Sequence, residues 1–198
     1  MRLDRATEIV VADAEGAKLS AGAVYVDSGA AKSSPDSRTF VVKTSAGEVR
    51  HLGTQYAVRT AGPAVQVSVR EGLVAIDRGS DRVIGSAGEQ LSLSPGAAVV
   101  RTRLPIHDAQ WAWIQTITPP FAIENRSLDE FLTWAARQTG RRLVYASRTA
   151  ANEAESVRLK GSVAGLAPDA AVLAVGATTP SLRIVRGESE LRVEQAGP

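Results

Sequence analysis

The stretch Tyr56-Ala-Val-Arg-Thr-Ala-Gly-Pro-Ala-Val-Gln-Val-Ser-Val-Arg70 decides how the first half of the chain is read. Tyr56 and Val58, then Val65, Val67 and Val69, alternate with small or polar residues, the period-two pattern of strands with one buried face. Gly62-Pro63 interrupts the run with turn residues. The pattern continues outward. Val24 and Val26 alternate upstream, as do Phe40, Val42 and Thr44, and glycines between Gly16 and Gly96 punctuate runs of about five to seven residues, an ordinary strand length. From Leu3 to about Arg103 no ten-residue stretch carries a helical apolar face. Residues 1–104 are therefore predicted to form an all-β domain, either a sandwich or a short β-helix-like stack.

Beyond Arg103 the pattern changes. Pro105, Pro119 and Pro120 bracket Trp111-Ala-Trp113, which reads as a linker over residues 105–120. Ser127-Leu-Asp-Glu130 is a capping box, in which hydroxyl and carboxylate satisfy two orphan N–H groups reciprocally. Leu128, Phe131, Leu132 and Ala135 follow at helical spacing, and Gly140 supplies the left-handed stop. Arg142–Ala146 and Val157–Val163 read as strands. Pro168 opens a second helix that ends at Gly176 and is apolar nearly all round, so it is expected to be covered on both sides. Ser181–Arg186 and Glu190–Glu194 flank a turn at Gly187 and read as a hairpin. Residues 121–196 are thus predicted to run strand, helix, strand, strand, helix, strand, strand, a small α/β domain with two helices.

The 198 residues are 44% hydrophobic, which excludes a disordered chain. A formal net charge of +2, spread evenly over both halves, carries no nucleic-acid signature. Without cysteine there is no disulfide, thiolate metal site or thiol nucleophile. His51 shares a strand face with Val49, and His107 sits in the proline-flanked linker; two isolated histidines are too few for a zinc site. G-x-S-x-G, S-x-x-K and the glycine-rich phosphate and dinucleotide motifs are absent, and Glu153 and Glu155 fall in a polar loop. No catalytic, cofactor-binding or metal-binding residue is expected, and the chain is expected not to be an enzyme. Trp111, Trp113, Phe131 and Trp134 are expected to pack between domains, where the linker folds onto the capped helix. The competing reading of the same aromatics is a stacking platform in a module that binds cell-envelope carbohydrate or peptidoglycan. The hairpin, with Leu182 and Ile184 facing Leu191 and Val193, is expected to leave an edge that accepts a partner's strand, with the N–H of Arg192 on it.

Three runs resemble the FecR domain in order over about the first hundred residues. They are Ala21-Gly-Ala-Val-Tyr-Val-Asp27, Phe40-Val-Val-Lys-Thr-Ser-Ala-Gly-Glu-Val-Arg-His-Leu-Gly-Thr-Gln-Tyr-Ala-Val58, and Val67-Ser-Val-Arg-Glu-Gly-Leu-Val-Ala75 with its following turn Ala87-Gly-Glu-Gln90. Phe121-Ala-Ile123, Ser127-Leu-Asp-Glu-Phe-Leu132, Arg137-Gln-Thr-Gly140, Leu159-Lys-Gly-Ser-Val163 and the Pro168 helix are similar to an STN module, the short domain of secretins and TonB-dependent transporters. The resemblance implies the periplasmic region of a transmembrane anti-sigma factor or sigma-factor regulator. Its implied partner is the signalling domain of a TonB-dependent outer-membrane transporter, often one for iron chelates. Binding of an extracytoplasmic-function sigma factor belongs, in that family, to a cytoplasmic segment that precedes an inner-membrane helix. Neither is present here, since no window approaches the ~18 apolar residues of a membrane span. The start at Met1 is accordingly expected to be a truncation, with the membrane helix of the intact protein just before Arg2.

Overall fold

The valine run at 65–69 becomes the first part of a 15-residue strand in a computed structural model of the chain, which describes residues 1–13, 16–28 and 40–197. Contacts divide the chain into two units, Met1–Asp108 and Ala109–Pro198.

The first unit holds β1 (Arg2–Leu3), β2 (Glu8–Asp13), β3 (Gly16–Asp27), β4 (Val41–Thr44), β5 (Gly47–Ala61), β6 (Ala64–Arg78), β7 (Asp81–Ser86), β8 (Glu89–Leu93) and β9 (Val100–Arg103). Three of these strands change partners partway along. The end of β3 pairs with β1 and with the second half of β5, whereas its beginning pairs with β2 and, in parallel, with β4. The first half of β5 lies against β4. β6 follows β5 throughout, but its first half pairs with β8 and its second with β7. The pairing describes one sheet folded over on itself. One layer runs β1–β3–β5–β6–β8–β9 and the other β2–β3–β4–β5–β6–β7, and a single apolar cluster joins Val24, Val58, Val67 and Leu91 of the first to Leu19, Val42, Val49 and Ile76 of the second. The sequence left a sandwich and a short β-helix-like stack open; the strands instead form one continuous, β-barrel-like sheet.

The bends fall where the backbone permits them. β3 turns at Gly22, whose φ is +86°, and a Cβ there would lie 2.6 Å from both Cα and Oγ1 of Thr7, so both conformation and space demand glycine. In β5 the pairing register shifts between Leu52 and Gln55. Between the layers, Gly85 of β7 leaves room for the other layer: a Cβ would lie 2.3 Å from Cδ1 of Leu91 and 3.1 Å from Cγ2 of Val74. The first layer is also buried on its second face, at Tyr25, Gln55, Ala57, Ser68 and Arg70. There the Arg70 Nε–H donates to the Ile106 carbonyl at 2.9 Å. Burial pushes the Tyr25 hydroxyl up to about 12, against the pull of the Arg70 guanidinium.

In the second unit the stretch read as a linker is partly helical: a 3-10 turn at Ala109–Trp111 runs into α1 (Ala112–Thr116). α2 (Leu128–Thr139) forms as the capping box predicts, with Ser127 Oγ accepting from the Glu130 N–H and Gly140 closing it at φ +73°. After β10 (Arg142–Tyr145) comes a helix the sequence reading missed, α3 (Arg148–Ser156), capped by Ser147. Its buried face is only Ala150 and Ala154, too small to register as an apolar stripe. The two-helix expectation is therefore corrected. So is the strand expected at 157–163, where residues 157–159 make only a brief pairing with 125–128. The strand expected ahead of α2 does not form in this unit either, and β11 (Leu182–Arg186) and β12 (Glu190–Gln195) complete it. α4 (Pro168–Ala177) buries Ala171, Val172 and Val175, but Leu173 is 54% exposed, so the two-sided cover expected for it is absent there.

Gly85→Ala is expected to lower the unfolding free energy by about 1–3 kcal/mol, the usual cost of overpacking a closed core. In a Leu91→Ala background the same change should cost clearly less, a coupling that a denaturant double-mutant cycle reads. Glu130 gives a separate expectation. Its carboxyl is held down to about 2 by the Arg126 guanidinium and by the Ser127 N–H. A depressed carboxyl stabilises the fold above its unfolded value of 4.5 and loses that contribution as pH falls towards 2. Glu130→Gln keeps the cap but not the charge, so its thermal midpoint should fall less than that of the unmodified chain between pH 5 and 2.

Candidate interaction surface

The second unit's sheet has the order β10-β12-β11, with β12 in the middle. β12 runs parallel to β10, with Val144 opposite Arg192, and antiparallel to β11, with Val185 opposite Arg192. Arg192 is thus paired on both sides. The open edge expected at its N–H is not there, because the hairpin's second strand is the one that β10 joins. β11 keeps the free side. The Gly187 N–H bonds the Glu190 carbonyl and the Ala196 N–H bonds the Ser181 carbonyl, both at 2.9 Å. Antiparallel alternation between these two points turns Arg183 and Val185 toward β12 and leaves the N–H and C=O of Ile184 and Arg186 facing outward.

Of the five residues singled out by sequence, Leu182, Leu191 and Val193 are buried in the unit's core, and Ile184 packs against it. Only Arg192 is exposed, on the sheet face away from that core. That face carries half-buried Val144 and Val185 and three exposed arginines, Arg192 among them: Arg142 pairs with Glu190 at 3.2 Å, Arg183 with Glu194 at 3.6 Å and Arg192 with Glu194 at 3.8 Å. Exposed pairs of this kind stabilise little and leave a solvated, charged surface.

Arg141, which sequence reasoning passed over, holds the hairpin in place. Its Nε–H donates to the Gly187 carbonyl at 2.8 Å while its guanidinium pairs with Asp169 in the first turn of α4. The hairpin turn and the helix are fixed by one side chain. Its place directly after the helix-stopping Gly140 was the available signal. On the opposite edge, the Tyr145 hydroxyl donates to Asp129 at 2.6 Å, and burial together with that carboxylate raises its pKa.

The aromatic residues separate. Phe131 is fully buried within the second unit's core, with Phe121 at 5.9 Å and half-buried Trp134 at 5.7 Å between ring centroids. Trp111 is 2% exposed, and Trp113 is half-buried. Burial of Trp111 and Phe131 withdraws two of the flat faces a sugar platform needs. His51 accepts the Phe40 N–H through Nε2 at 3.2 Å, with burial lowering its pKa, and His107 is exposed.

No curated protein matches the chain. Two crystal structures from Parabacteroides distasonis ATCC 8503, each provisionally named an anti-sigma factor and determined at 2.50 and 1.65 Å, are similar at 15% identity. The first has a TM-score of 0.41 over 94% of this chain and 84% of its own, the second 0.45 over 98% and 89%. The family model that matches is the FecR protein, over residues 1–75. The match ends within β6, before the strands β7 to β9 that complete both layers, and so is shorter than the first hundred residues over which the motifs were read. Over residues 1–75 the chain is thus similar to the FecR family.

Proposed function

We propose that the chain is the periplasmic signal-transducing part of a FecR-type sigma-factor regulator, a binding module without catalysis. In this reading the second unit is STN-like and receives the signalling domain of a TonB-dependent outer-membrane transporter by strand addition at β11. The FecR-family match carries the regulator reading. The unpaired side of β11 supports the docking mode, because an added strand gains main-chain hydrogen bonds from Ile184 and Arg186 while neighbouring side chains set specificity. In this reading sigma-factor contact is the work of a cytoplasmic segment, as the family resemblance implies. No helix among the described residues is long and apolar enough to cross a membrane.

Arg186→Pro removes an outward donor without breaking the β11–β12 ladder. By calorimetry against a transporter signalling domain, its affinity is expected to fall about tenfold or more, equivalent to ~1.4 kcal/mol. Arg192→Ala, on the open face, should bind normally. Wild-type affinity in a folded Arg186→Pro variant would overturn the β11 site, and so would unchanged hydrogen exchange at Ile184 and Arg186 on complex formation. Absence of binding by the unmodified chain would overturn the transporter reading.

A further inference from the structure

The outer face of the first unit's second layer carries a continuous charged row. Lys18 on β3 stands opposite Lys43 on β4, Lys43 opposite Glu48 on β5, Glu48 opposite Asp77 on β6, and Asp77 opposite Arg82 on β7. Arg50 lies one step along β5. Ion pairs bind this row from one end: Arg82 to Asp77 at 2.6 Å, Arg50 to Asp77 at 3.0 Å, Arg50 to Glu48 at 2.5 Å, and Lys43 to Glu48 at 3.6 Å. Both carboxylates are thereby engaged before Lys18 is reached, and Lys18 has no carboxylate partner among the described residues. Among the described side chains of the row, four cations against two carboxylates leave an excess of two positive charges, concentrated where two lysines face each other in register. Like charges directly opposite on neighbouring strands destabilise a sheet, so the pairing has no structural benefit of its own.

At that end the surface is concave. A groove of about 300 Å³ is lined by three cations, Lys18, Lys43 and Arg50, and one carboxylate, Glu48, with Gly16, Ala17 and Val41 among its apolar residues. Gly16 keeps it open, since a Cβ there would stand 3.0 Å from the Val41 carbonyl oxygen. We infer that this groove binds a phosphate monoester, its dianion placed between the ammonium groups of Lys18 and Lys43 and its organic part against Gly16 and Val41. Such a group carries a charge of about −1.5 to −2 at neutral pH, which matches the excess of the row; a single carboxylate would leave one lysine unmatched. Lysine suits the site because it acts as a mobile point charge and needs no planar partner. The phosphate has two possible sources, a soluble ester or a lipid headgroup.

Calorimetric titration with inorganic phosphate and glycerol 3-phosphate tests the site, beside flotation with vesicles containing phosphatidic acid or phosphatidylserine. The unmodified chain is expected to bind, more weakly as salt rises. Lys18→Gln/Lys43→Gln should reduce affinity about tenfold or more without lowering the ligand-free thermal midpoint, while Arg82→Gln at the far end of the row should bind normally. Binding of the soluble ester assigns that source, and binding of phosphatidic acid vesicles alone assigns the headgroup. No binding of any phosphate probe, equal binding to phosphatidylserine, unchanged affinity in the double lysine variant, or an equal loss in Arg82→Gln would each overturn the site.

Discussion

β5 and β6 remain paired from Glu48 opposite Asp77 to Ala61 opposite Ala64, although the sheet folds over beneath them. Everything in the first unit follows from keeping that ladder while bending it. A ladder this long cannot lie in one flat layer and still bury both halves of its inward face, because sheets are only marginally stable unless one face is covered. Bending converts one hairpin into the backbone of both layers, and the remaining strands add to whichever half they meet. The inward residues of the two halves then cover each other.

This explains what was legible in the sequence and what was not. Alternation at Val65, Val67 and Val69 marked strand, face and core together, since each of those valines is buried. It did not say that β6 goes on through Glu71-Gly-Leu73 to Arg78, because a glycine after a polar residue looks the same whether a strand stops or turns a corner. Partner exchange is likewise silent in a one-dimensional pattern: β3 has the same period beside β4 as beside β5. The family match ending at residue 75 has a similar character, covering the strands that bend and leaving aside β7, β8 and β9, which complete the layers.

In the second unit, local signals were read correctly and non-local ones were not. Ser127, Glu130 and Gly140 specify α2 through contacts within a few residues, so their roles survive in the fold. α3 escaped because two alanines suffice to pack it. The candidate surface was recognised as a hairpin but assigned to the wrong strand. Which member of a hairpin is left at the edge depends on where β10 joins, and that parallel pairing spans nearly fifty residues. The alternation of Leu191 and Val193 reports only that one face is buried, and it does so equally for a central and an outer strand.

The central place of β12 has a consequence for how the second unit is made. Both of its neighbours precede it in the chain, and neither touches the other. During synthesis α2, β10, α3, α4 and β11 all emerge before the strand that joins them, so the sheet cannot begin to close until the last of its members is free. Until then Leu143 lacks its cross-strand neighbour Leu191, and Ile184 lacks Val193. The order of emergence makes this unit's final step a single long-range docking, the kind of slow, exposed stage at which chaperones act on nascent chains.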